Sequence, residues 1–411
     1  MKNLRSTTLI TVQSILALSG ASAQTARDGA PDSVDVLIED RQQEHANLLG
    51  LSGPKKLDEL MDQLAEKTGL SFGVDYSTQF FSASGRPAGA SGDASGGMAR
   101  LYGKWELIDR GGATSGTLNF KVEHRHSYTD TAPSGFSLNL GNVGVMGGPF
   151  NDNQWRLTNL YWRQGLGERA VAYVGFLDAT DFVDVYSLAS PWTAFTNLAF
   201  STGSASMALP NDATFGAMLG LWATDNLYAI SSITDLNADP TDPFKSAEAF
   251  FDQSEYFKSI EVGWTTSKER FFTDNFHLTV WHVDKIESTG TSDGWGMNLS
   301  ASYWINDAFM PFVRGGFAED GGSLLESSIS AGIAANVYDR DLVGLAANWG
   351  EPNEDTFGPG LDDQFGIEAF YRLQLSQSVR ITPSVQLLFD PALNPDEDFA
   401  AVFGLRGVVT F

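Results

Sequence analysis

Two stretches of this 411-residue chain concentrate the side chains best able to do chemistry, "RLYGKWEL" from Arg100 to Leu107 and "LNFKVEHRH" from Leu118 to His126. With the period of two of an extended chain, Arg100, Lys104 and Glu106 share one face of the first, and Lys121, Glu123 and Arg125 one face of the second. Cations and carboxylates spaced along a strand face make no acid–base centre. They make a polar wall, either self-paired or able to exchange hydrogen bonds with a solute moving past it. Nearer the C-terminus Glu368, Arg372, Arg380 and Arg406 take the same kind of position, opposite apolar rows such as Phe365, Ile367, Ala369, Tyr371 and Leu373.

Enzyme and metal chemistry has weaker footing. "GLSFG" (Gly69 to Gly73) and "GTSDG" (Gly290 to Gly294) match G-x-S-x-G, but that motif needs a strand, a sharp turn and then a helix. The first leaves a helix and opens a strand, and the second is a hairpin loop. His124 and His126 share a face, yet it is the apolar one, alternating with Arg125 near a strand end, which suits interfacial polar residues better than a metal pair. His277 and His282 fall on opposite faces. There is no cysteine, which removes thiol chemistry and fits an exported protein of a Gram-negative envelope. No catalytic residue, metal or cofactor is assigned.

The elements that must hold these faces are strands. After a polar stretch, "GPKKLDELMDQLAEKTG" predicts an amphipathic helix over about 54–68, and a second helix is expected around Val36 to Leu49. From Leu70 the period changes to two, and sixteen strand segments are expected near 70–82, 97–109, 115–127, 153–165, 168–180, 212–223, 226–236, 257–267, 274–285, 294–304, 308–318, 327–337, 341–350, 363–374, 378–389 and 399–411. The joints between them alternate. "GLGER", "TDN", "IND", "YDRD" and "LSQS" are tight, whereas Ser127 to Asp152, Asp181 to Asn211 and Asn237 to Tyr256 are long, acidic and rich in Pro and Gly. One end of the sheet therefore carries turns and the other carries large loops, the pattern of an outer-membrane barrel.

Composition agrees. Aromatics reach 12% and glycines number 42, while the mean hydropathy of −0.14 shows apolar residues dispersed as alternating strands disperse them. Residues 1–23 read as a cleaved export signal, with Lys2 and Arg5, an apolar run from Leu9 to Leu18, and Ala21-Ser22-Ala23. No later stretch is long and apolar enough for a membrane helix. Losing Lys2 and Arg5 with the leader, which has no acid, takes the net charge from −25 to −27, so nucleic acid is excluded as a partner class. Parity alone leaves open which face of each strand points inward, and a soluble two-sheet protein stays in view. Two considerations favour lipid: apolar faces along the whole chain would need a second sheet to cover them, and the leader sends the chain to a compartment with a membrane. Trp162, Trp264, Tyr303, Trp304 and Trp349, near segment ends, suit interfacial girdles.

The chain resembles the carbohydrate-selective porins of the OprB family. The resemblance is carried by "LYGKWELIDRGG" (Leu101 to Gly112), "GTLNFKVEHRH" (Gly116 to His126), "LTNLYWRQGL" with "VAYVGFLDATDFVDVY" (Leu157 to Tyr186) and "SPWTAFTNLAFS" (Ser190 to Ser201). It implies an all-β, sixteen-stranded transmembrane barrel over 70–411, a short helical N-terminal segment over 24–69, and passive admission of small saccharides. Alternatives are a general diffusion porin, an outer-membrane enzyme or a secreted sugar-binding protein. The polar-faced residues above then become pore-lining candidates in an aqueous lumen too wide for side chains to fill. The loop after the fifth strand, with Asp181, Asp184, Trp192 and Phe195, is a candidate constriction, because an aromatic loop facing water would be unfavourable. Expected partners are permeating sugars, outer-membrane lipid with lipopolysaccharide, and two further copies in a homotrimer. The closing "FGLRGVVTF" ends on Phe411 at the periplasmic side and should pair with the first strand.

Overall fold

The computed structural model describes residues 29–53, 55–210 and 213–411. The leader expected over 1–23 lies outside the described residues. Helices α1 (Val34–Gln42) and α2 (Lys55–Thr68) precede sixteen strands. These are β1 (Leu70–Ala83), β2 (Asp93–Ile108), β3 (Gly116–Ser127), β4 (Gln154–Gly165), β5 (Ala170–Leu177), β6 (Thr214–Trp222), β7 (Leu227–Asp235) and β8 (Tyr256–Thr265). They continue as β9 (Asn275–Val283), β10 (Gly294–Ser302), β11 (Phe309–Asp320), β12 (Leu325–Val337), β13 (Asp341–Pro352), β14 (Gln364–Ser376), β15 (Val379–Phe389) and β16 (Phe399–Thr410). Short helices α3 (Phe136–Asn139), α4 (Pro243–Asp252) and α5 (Glu354–Phe357) lie in joints. Each strand pairs antiparallel with its neighbours, and β1 pairs with β16 from Asp75↔Thr410 to Ala83↔Val402, so the sheet closes. Closure leaves neither β1 nor β16 as a bare edge in hydrocarbon.

The side chains are inverted relative to a water-soluble barrel. Leu101, Val174, Leu219, Ile260, Val262, Val313, Leu345 and Leu405 are exposed on the outer wall, while Arg100, Lys121, Glu123, Glu261, His277, Arg314, Glu368 and Arg406 are buried inside. That arrangement decides the question parity left open: the apolar face is the outer one, and lipid covers it. Trp295 against Phe317 and Phe389 against Phe399 mark the loop end, and Trp264 and Tyr303 the turn end. Trp304 departs from the girdle expected of it and packs inward on a lumen cluster with Tyr186 and Phe195.

Three further expectations are corrected. The helix expected over 36–49 is α1 alone; beyond it the chain runs along the β14–β15 turn, with Leu48 N donating to Gln374 O at 2.9 Å and Gln377 N to Leu51 O at 3.1 Å. β11 and β12 extend to a tight reversal over 321–324, made by Gly321 and Gly322 at φ +74° and +77°, where a longer loop was expected. Most consequentially, the lumen is not uniformly aqueous. Tyr161, Tyr173, Phe182, Met218, Trp222, Tyr228, Phe257 and Trp281 fill the β4–β9 side, joined by Phe271 and Phe272 from the periplasmic joint "SKERFFTD". A wide barrel leaves this space, and loop and wall aromatics close it.

Candidate functional site: a constricted lumen

β5 ends at Leu177, and the joint to β6 turns into the barrel. It begins with Asp178, whose carboxylate accepts from Thr180 N at 2.9 Å. The loop is then pinned on two opposite walls. On the first, Asp184 accepts from His277 Nε2 at 2.8 Å, from Gly203 N at 2.6 Å and from the Arg314 guanidinium, while its own N–H donates to Glu261 Oε2 at 2.7 Å. Asp184 holds φ +52°, a costly conformation for a residue with a Cβ, so these bonds hold a strained turn in place. On the far wall Arg406 donates to Pro191 O at 2.5 Å and to Ala194 O at 2.8 Å. Glu368 accepts from Thr196 N at 2.8 Å and Asn197 N at 3.0 Å. Phe195 sits between Phe200, Phe312 and Phe370. The returning part of the loop lies so close to β11 that a Cβ at Gly316 would stand 1.9 Å from Ser206 Oγ.

The wall facing the loop carries a row of alternating charge set by register. Asp75 pairs with Arg100, Arg100 with Glu123 and Glu123 with Arg156 across β1 to β4. Arg100 grips Asp75 from Nε at 2.9 Å and Nη2 at 2.7 Å, and Arg125 Nε donates to Glu123 Oε2 at 2.8 Å. Bidentate pairs of this kind fix side-chain geometry as well as charge.

The N-terminal segment enters the same space. Val34, Leu37 and Ile38 of α1 pack on Tyr102, Asp35 accepts from Lys104 Nζ at 2.9 Å, and Asp40 pairs with Arg380 at 3.3 Å. Higher up, Ala30 N donates to Asp181 O at 2.6 Å and Ser190 Oγ to Asp32 Oδ1 at 2.6 Å. Burial pushes the Asp32 carboxyl up to about 6 against the pull of Arg100, Ser190 and Lys121. It pushes Asp181 up to about 7, although Lys121 Nζ lies 3.2 Å from its Oδ2.

What remains open is a cavity of about 600 Å3 lined by Asp32, Arg125, Asp178, Asp181, Pro191 and Trp192, among others. Trp192 carries the Arg100 guanidinium 4.6 Å from its ring centre, and its buried indole N–H has no acceptor among the described residues. An aromatic ring, carboxylates and a guanidinium around one space can exchange hydrogen bonds with hydroxyls and stack on a ring's apolar face.

The structure thus places Arg100, Lys104, Glu106, Lys121, Glu123, Arg125, Glu368, Arg372, Arg380 and Arg406 on the lumen side, but their partners differ from a simple ladder. Glu106 stands 3.8 Å from Lys104, and Arg372 points at Thr193 O, 3.5 Å away. Glu368 and Arg406 are turned to the loop's backbone. Asp181, Trp192 and Phe195 fall within the infolded loop, and Asp184 is its anchor. Sequence reasoning missed Asp75, Glu261, His277 and Arg314, although each is an ionisable residue inside a strand with apolar neighbours in the alternate register, which was the available signal. Ser71 lies in β1 opposite Lys104 and Ser292 in the β9–β10 joint, so neither G-x-S-x-G match forms an elbow.

A closed antiparallel barrel with an apolar outer wall and a loop pinned across its lumen is the architecture of outer-membrane porins. Residues 284–411 match the model of the "Carbohydrate-selective porin, OprB family". Among solved structures, the high-pH form of Pseudomonas putida OprB is similar over 87% of this chain and 97% of its own, with a TM-score of 0.68 at 12% identity. The low-pH form covers 90% and 100%, with a TM-score of 0.53 at 10% identity. A mutant of Rh. blastica porin covers 83% and 100%, with a TM-score of 0.52 at 14% identity. No curated protein sequence matches. The OprB resemblance, the sixteen-stranded barrel and the outer-membrane location expected from the sequence all hold.

Proposed function

We propose that this chain passes small saccharides across the outer membrane by diffusion, with the cavity between Trp192 and the β1–β4 wall as the selective passage. The observation that carries the reading is the lining of that cavity: the Trp192 side chain beside Asp32, Asp178, Asp181 and Arg125. Its volume of about 600 Å3 falls within the roughly 300–1,000 Å3 of small-molecule sites. Repeated weak contacts of this kind favour entry without trapping the solute. Lys104, Lys121, Arg100 and Arg125 shape the passage, and Glu368, Arg372 and Arg406 hold the loop that narrows it. The reading involves no catalytic step.

The division into a leader over 1–23, an N-terminal segment over 24–69 and a barrel over 70–411 belongs to the same proposal, the segment acting as a lumen insert. So does assembly as a homotrimer through the lipid-facing wall, for which the unheated protein in detergent should have the mass of three chains; a mass of one chain contradicts it.

Liposome swelling tests transport. Vesicles holding the protein should swell in glucose or maltose, and Trp192→Ala should lessen the preference for sugars over linear polyols of equal size. Equal swelling in sugar and polyol for the unsubstituted protein contradicts the reading.

A further inference from the structure

The joint between β7 and β8 bears α4, ten residues long, opened by Asp242 and Pro243. The helix lies against the outer wall. Phe250 and Phe251 meet Phe215 with ring centres 5.3 and 5.9 Å apart, and Phe215 shares its face of β6 with Leu219 and Leu221 of the lipid-facing belt. Ser246 and Ala249 pack inward. The position is fixed by a second attachment. β4 begins at Gln154, but β5 pairs only with 160–165, because the chain then turns into the lumen; Leu157 N, left without that neighbour, donates to Pro240 O at 3.0 Å.

The rest of α4 is unlike a solvated helix face. Phe244, Ala247 and Phe251 recur at i, i+3 and i+7, with Phe244 84% and Phe251 70% exposed. Lys245, Glu248 and Asp252 form the adjoining stripe with the same spacing. This helix therefore packs Ser246, Ala249 and Phe250 on the barrel, leaves an exposed apolar stripe that Phe251 joins to Phe215, and carries charges beyond that stripe.

We propose that α4 is an interfacial helix that lies in the outer leaflet of the membrane, its Phe244–Ala247–Phe251 stripe at the boundary of acyl chains and headgroups and its charged stripe among the headgroups. The argument is continuity: Phe251 touches Phe215, and Phe215 opens the row that lipid already covers. A helix latched at the rim of an apolar belt, with exposed phenylalanines beside that belt, extends the belt. It also seals the upper wall where β5 leaves the sheet.

Because the chain has no cysteine, single substitutions give single labels. Nitroxide-labelled Phe244→Cys and Phe251→Cys proteins, reconstituted in phospholipid vesicles, are compared with Leu219→Cys in the belt and Ser288→Cys in an exposed joint. The proposal expects collision with oxygen to exceed collision with a water-soluble nickel chelate at 244 and 251, as at 219. The nickel-dominated ratio of position 288 would overturn it, since the stripe would then stand in water. Shielding from both reagents, or spin–spin broadening between chains, would overturn it in favour of a second copy. Phe244→Ser/Phe251→Ser should still give a heat-modifiable folded band, while its neighbouring label at Ala247→Cys shifts toward the nickel reagent; no shift counts against the proposal.

Discussion

Glu368 does for the constriction loop what a neighbouring strand would do, accepting the backbone N–H groups of Thr196 and Asn197 with both carboxylate oxygens. Hydrogen bonds to a charged acceptor contribute roughly 1.5–3 kcal/mol each. Glu368→Gln keeps the shape and loses the charge, so the loop should loosen while the barrel ladder stands. Single-channel records should show greater open-channel noise and a raised conductance, with heat modifiability unchanged; noise equal to that of the unsubstituted protein would contradict this anchoring. Parity made Glu368 and Arg406 legible as inward residues. Their partners were not legible, because those contacts join residues about 170 to 215 positions apart and depend on how the loop folds.

At the scale of elements, the strands were readable and the filling of the barrel was not. Alternation says which side chains face inward, but not that Phe271 and Phe272 rise from a turn, or that α1 threads the lumen. The N-terminal segment should be held in a pH-dependent way. Asp32 and Asp181, with pKa values raised from 3.8 to about 6 and about 7, favour their neutral forms where they sit. A carboxyl raised in this way stabilises the docked state fully below about 3.8, and that contribution is lost as pH rises through 6 and 7. Lys121, Arg100 and Asp178 face the pair and set how far the loss goes. Brief current transitions should therefore become more frequent between about pH 4 and pH 7 and level off above it. Asp32→Asn/Asp181→Asn should flatten that trend, and an unaltered trend in the double variant would place its origin elsewhere.

At the scale of the whole molecule, the barrel is a ring closed between its first and last strands. Phe411 N donates to Val74 O at 2.9 Å, and Arg41 Nε to Phe411 O at 3.2 Å, so the last residue ties β16 to β1 and to the N-terminal segment. Deleting Phe411 should reduce the heat-modifiable fraction recovered in outer membranes, and recovery equal to the full chain would contradict a role for the seam in assembly. The central claim, a sugar-selective passage inside a loop-constricted barrel, is tested most directly by single-channel current in planar bilayers during titration with glucose and maltose. The account predicts a stable channel whose ionic current falls saturably as either sugar occupies the passage. A current indifferent to both sugars, or no channel at all, would contradict it.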